Sequence, residues 1–212
     1  MKMREYNLLK NRKLFFENNK KNIEINVMKI ISKVKFPKSW KIYVVVSDFL
    51  NKKKVLPFEH DSWSATSLIA ATKNQGCEIM IFLNKARIGF LSYNALIPII
   101  THEIIHVNQA IKNSREYLFS IIDDNISIKL EKEAEKEIRK INYFRKREVI
   151  ESILYCYDNL GWKGAKKMAD FFYKIKDRYG GGYEEEMTKK EYELFLESIK
   201  KKSIKFFIEH FK

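Results

Sequence analysis

The sequence predicts an α+β fold, mostly helical, with a small sheet of about three strands. Three observations carry this reading. Helix breakers are scarce, with three prolines and seven glycines among 212 residues, and Lys, Glu, Ile and Leu are abundant, which suits long helices. Apolar residues recur at spacings of three and four over most of the chain. Between residues 41 and 83, short runs rich in β-branched, aromatic or small residues alternate with turn signals instead. Hydrophobic residues make up 45% and aromatics 14%, enough for a packed core and too much for wholesale disorder.

The elements follow in order. Residues 4–35 read as one or two helices, with Tyr6, Leu9, Phe16, Ile23, Val27, Ile30, Ile31 and Val34 on an apolar stripe, Asn18-Asn19 as a point of interruption and Pro37 as the end. Lys41–Ser47 reads as a strand, residues 51–63 as a basic loop and Ser64–Thr72 as a second strand. A turn at Asn74-Gln75-Gly76 leads into the apolar strand Cys77–Leu83. After a loop over 84–93, Asn94 can cap a helix running to about Ile111, with Pro98 in its first turn. Residues 115–122 are helical, Asp123-Asp124-Asn125 breaks the chain, and Ser127 caps a helix through about Phe144. Glu148–Leu160 forms another helix, stopped by Gly161; Gly180–Gly182 is a joint; a charged last helix covers about Thr188–Phe211. This divides the chain into an N-terminal helical segment (1–38), a core (39–147) and a C-terminal helical extension (148–212).

The formal net charge is +14. Lysines are spread along the whole chain, so the charge reads as a solvated basic surface, and nucleic acid is a partner that it permits but does not favour. Cys77 and Cys156 stand alone, with no CxxC and no disulfide framework, which suits a reducing cytoplasm. The charged start MKMREYNLLK lacks the apolar stretch of a signal peptide, and the most apolar window, 95–107, is too short and too polar to span a bilayer.

That window holds the chemistry. His102, Glu103 and His106 form an HExxH sequence. On a helix, residues i and i+4 share a face, so both imidazoles can hold one ion. Glu103, next to the first ligand, can take a proton from a metal-bound water. Three ionisable groups inside an apolar helix are costly unless something pairs them, and a metal does so. A catalytic zinc needs a third protein ligand. His60 and His210 read as surface residues, whereas the helix after the HExxH carries Glu131-Lys132-Glu133-Ala134-Glu135.

HExxH followed by ExEAE resembles the gluzincin peptidases, most of all the compact minigluzincins and the ImmA-like metallopeptidases. The resemblance covers about residues 40–145. It implies a zincin-like core with one Zn²⁺ per chain, His102, His106 and Glu131 as ligands, Glu103 as the catalytic base and Glu135 supporting a ligand histidine. Glu135 stands where that pattern usually has Asp or Asn. The i, i+4 pairing alone also allows Glu133 with Glu137; Ala134 favours Glu131, because a small residue lets the helices approach closely. The substrate implied is a peptide or protein, which an edge strand before the active helix can bind by strand addition; Cys77–Leu83 suits that role or an interior strand equally. Tyr143, Arg145, Arg147, Tyr155 and Tyr157 are all available as oxyanion donors. Two other functions remain open: a catalytically weak regulator of the same fold that binds DNA or protein, and a structural zinc protein.

Overall fold

The computed structural model describes residues 3–47, 64–72, 76–178 and 187–200. Helices dominate, as expected: α1 (Met3–Ile31), α2 (Lys85–Ile88), α3 (Tyr93–Lys112), α4 (Ser114–Phe119), α5 (Asp124–Ile138), α6 (Asn142–Arg178) and α7 (Lys189–Lys200), with a 3₁₀ turn at Arg139–Ile141 between α5 and α6. The strands are β1 (Trp40–Ser47), β2 (Ser64–Thr72) and β3 (Gly76–Asn84). β3 lies in the middle, parallel to β1 and antiparallel to β2, with a register shift between Leu68 and Ala70.

α1 is continuous. Asn18 and Asn19 do not interrupt it, because an asparagine inside a helix costs only about 0.7 kcal/mol relative to alanine and Asn19 has a tertiary use: its Nδ2 donates to the Phe90 carbonyl at 3.0 Å. Phe16, Ile23, Val27 and Ile30 form the buried stripe. Along β3, Ile79, Ile81 and Leu83 are fully buried at alternate positions, the period of a strand with one face on a core. These residues pack with α1 and with Leu96, Ile100 and Val107 of α3 into one core. β3 is paired on both sides, so Cys77–Leu83 is the interior strand and not a free edge.

Several boundaries differ from the sequence reading, each for a local reason. Ser92, not Asn94, caps α3: its hydroxyl accepts from the Ala95 amide at 3.3 Å. Pro98 therefore lies beyond the first turn, inside the helix, where it leaves one carbonyl without its helical donor. Asp123, not Ser127, caps α5, accepting from the amides of Asn125 (2.9 Å) and Ile126 (3.4 Å). The expected loop over 84–93 contains α2, capped by Asn84. Gly161 breaks the helix with φ +65° and ψ −165°, but helix resumes to Arg178. That positive φ is strained for any residue with a Cβ. Beyond the break, Ala165, Ala169 and Phe172 join Val149, Ile153 and Phe195 of α7 in a second apolar cluster. The glycine joint at 180–182, the loop 51–63 and the last helix beyond Lys200 lie outside the described residues. Among the described residues, no helix is long and apolar enough to cross a membrane.

Candidate metal centre

Two helices supply the site, and each is held by interactions far along the chain. The start of α3 is pinned by α6: the buried Glu151 carboxylate accepts from the Ser92 amide (2.8 Å) and hydroxyl (2.6 Å), and Arg147 donates to it at 2.9 Å. A carboxylate at a helix N-terminus also complements the helix dipole. α5 lies against α3, and its Leu130, Ala134 and Ile138 are buried, the last two fully. That apolar row leaves Glu131 and Glu135, one turn apart, facing the histidines.

The side chains converge closely. His102 Nε2 and His106 Nε2 lie 3.0 Å apart. Glu131 reaches both, with Oε2 at 3.2 Å from His102 Nε2 and Oε1 at 3.3 Å from His106 Nε2. Among the described residues, His102, His106 and Glu131 form a group that could hold a metal ion. Glu135 Oε1 lies 3.5 Å from His102 Nδ1, on the far side of that ring. Glu103 is buried, 3% exposed, and its charge reaches His106 and Tyr117. Glu133 stays on the exposed face, at 3.3 Å from the Gln109 amide nitrogen. Glu137 pairs with Lys140 at 2.6 Å.

The hydrogen-bond pattern bears on the chemistry of the three converging side chains. Gln109 Nε2 donates to the Leu130 carbonyl at 2.9 Å and to Glu133. Its Oε1 therefore faces His106 Nδ1, at 2.8 Å. A carbonyl oxygen only accepts, so His106 carries its proton on Nδ1. Beside the Glu135 carboxylate, His102 Nδ1 carries a proton by the same argument. In the neutral rings both Nε2 atoms then present lone pairs, to one another and to Glu131. Two ring nitrogens and the two oxygens of one carboxylate thus face one another at 3.0–3.3 Å, a repulsive arrangement that a cation among them would relieve.

Electrostatics says the same of the metal-free protein. Burial pushes the His106 imidazole down, but the hydrogen bond and charge of Glu131, with the charge of Glu103, more than offset this and bring it up to about 9. Burial opposes ionisation of Glu131, yet the hydrogen bonds and charges of His102 and His106 hold its carboxyl well below the usual range. Without a metal, a proton on His106 is the cation that the cluster demands.

Two residues of this region had no place in the sequence reading. Gln109 follows His106 by three positions on the same helix, and the i, i+3 rule could have found it. Tyr117, buried in α4, has its ring centroid 6.4 Å from that of His106. Burial and the charges of Glu103 and Glu131 push its phenol up, so it stays a donor. It lies beyond the end of α3 in a short helix, α4, whose apolar residues Leu118 and Phe119 are exposed, so its sequence does not mark which face is buried. The downstream donors considered from sequence are engaged elsewhere: Arg147 with Glu151, Tyr155 stacked on Phe90 at 4.0 Å, and Tyr157 against the second cluster. The side chains of Tyr143 and Arg145, and all of His60 and His210, lie outside the described residues.

Comparison with protein-family models, with curated proteins and with solved structures finds no match for this chain.

Proposed function

We propose that the chain is a zinc-dependent peptidase with a gluzincin-like site. The observation that carries this reading is the convergence of His102, His106 and Glu131 with the buried Glu103 beside them. The donor set fits zinc: two imidazoles and one carboxylate are a catalytic set that leaves a position open. The spacing fits as well. Ligand atoms around a tetrahedral zinc with bonds of about 2.0–2.1 Å lie roughly 3.3–3.4 Å apart; here the two ring nitrogens are 3.0 Å apart, and each lies 3.2 or 3.3 Å from a different oxygen of Glu131.

In this reading His102, His106 and Glu131 hold the ion, and Glu135 and Gln109 orient the two rings. Zinc, when bound, supplies Lewis acidity, polarising a peptide carbonyl and lowering the pKa of a water toward neutrality. Glu103 accepts a proton from the water that attacks the carbonyl carbon, then delivers it to the departing amine nitrogen as the C–N bond breaks. Its burial excludes bulk water, which strengthens its interaction with the reacting atoms. Tyr117, held as a neutral phenol, serves as hydrogen-bond donor to the oxygen on which negative charge develops. β3 is paired on both sides, so the edge strands are β1 and β2; of the two, β2 packs against α3 and is the better placed for peptide addition. An extended substrate on that edge is held by backbone bonds beside the helix that carries the histidines.

The test is cleavage of an unfolded protein by the purified chain. Activity should vanish with a chelator and return with zinc. No cleavage by the zinc-loaded protein, with steeply salt-dependent DNA binding instead, would favour the second reading: a catalytically weak regulator, to which the +14 charge lends support.

A further inference from the structure

We infer that Gln109 is the positioning residue of the metal centre, fixing the second histidine ligand and the third ligand's helix through one amide group. The inference rests on the zinc reading of the site. It goes beyond it by assigning a residue that the HExxH and ExEAE patterns do not contain.

The geometry divides the amide into two halves with different partners. Its oxygen accepts from His106 Nδ1 at 2.8 Å, the shorter of the two outer contacts to the ligand histidines; Glu135 stands 3.5 Å from His102 Nδ1. Its nitrogen donates to the Leu130 carbonyl at 2.9 Å and to Glu133 Oε2 at 3.3 Å. Leu130 immediately precedes Glu131, so the amide holds the main chain of α5 next to the third ligand. The same side chain thus sets the ring orientation and tautomer of His106 and the placement of the carboxylate that it meets. The amide supplies both an acceptor for Nδ1–H and two donors for α5. A carboxylate would keep the first and turn the second into a repulsion.

That division separates positioning from plain packing. Gln109→Met keeps the length and bulk but has neither donor nor useful acceptor. Gln109→Glu keeps the acceptor for His106 and sets an oxygen against the Leu130 carbonyl and Glu133. If the amide only holds α5 to α3, metal affinity will follow stability, and Gln109→Glu will be the worse of the two in both. If it positions His106, the orders cross.

The experiment measures zinc affinity by competition with a chromophoric chelator, and the melting temperature of the metal-free protein, for wild type and both variants, with circular dichroism to show that each is folded. Outer partners of ligand histidines typically contribute about 10–100-fold in affinity. Gln109→Met should lose that order of affinity. Gln109→Glu, which keeps the acceptor for His106, should lose less affinity than Gln109→Met while melting below it. Wild-type affinity in Gln109→Met, or affinities that rank as the melting temperatures do, would overturn the inference and leave the zinc site standing. A wild-type protein that takes up no zinc would remove the site itself, and with it the role of Gln109.

Discussion

At the scale of single residues, the site is a contest between a proton and a metal for the same lone pairs. His106 is raised from 6.5 to about 9 in the folded, metal-free chain. A raised pKa means that the folded state binds the proton more tightly, so this contribution to stability is full below about 6.5 and is lost as pH rises through about 9. Glu131 is depressed from 4.5, so its contribution is present above that value and is lost as pH falls below it. Metal-free protein should therefore melt highest between these limits, from about 4.5 to 6.5, and His106→Gln should flatten the alkaline side. Zinc affinity should rise with pH up to about 9, because the ion must displace the His106 proton. Thermal melts of the metal-free protein from pH 4 to 10 check this. A melting temperature that climbs between 6.5 and 9 would contradict the account of His106.

At the scale of elements, the question is which face α5 turns to α3. Glu131 with Glu135, and Glu133 with Glu137, were equivalent by spacing. The structure separates them: Glu131 meets both histidines and Glu135 meets His102, whereas Glu133 and Glu137 lie on the exposed face. Glu131→Ala should weaken zinc binding by more than the ~10–100-fold typical of an outer partner. Glu133→Ala should have a small effect, because Glu133 lies on the exposed side, where it accepts from the Gln109 amide at 3.3 Å. Metal titrations of both variants decide, and the reverse order would move the third ligand to Glu133. The i, i+4 pairs of α3 and α5 were legible because they depend on helix geometry alone. The start of α3 was not. Ser92 and Asn94 are both good caps, and Ser92 is held by Glu151, a contact 59 residues away. The interior position of β3 was equally hidden, since an apolar run of that length suits an edge or a centre until its neighbours are known. The break at Gly161 could be read as an end because φ cannot be seen in sequence; the helix resumes because Ala165, Ala169 and Phe172 have a second cluster to enter.

At the scale of the whole molecule, one core joins α1, the sheet and α3, and a second cluster joins α6 and α7. Leu154 packs against both, and the Ser92–Glu151 contact ties α6 to the start of the helix that carries His102 and His106. Among the described residues, Lys33, Lys41, Lys85, Lys129, Lys146 and Lys166 are each engaged by a different neighbour across the fold. Neither the dispersed charge nor the comparisons select a function, so the peptidase reading stands on local chemistry, and above all on Glu103. Zinc binding does not need that carboxylate; catalysis does. Glu103→Gln keeps its volume and polarity and cannot accept a proton. The most direct measurement is therefore proteolysis of an unfolded protein by wild type and Glu103→Gln side by side, with zinc content determined for both. The account predicts equal zinc, near one per chain, and a loss of cleavage of at least ~10²–10⁴-fold. Equal cleavage by the two proteins would contradict it, whatever their metal content.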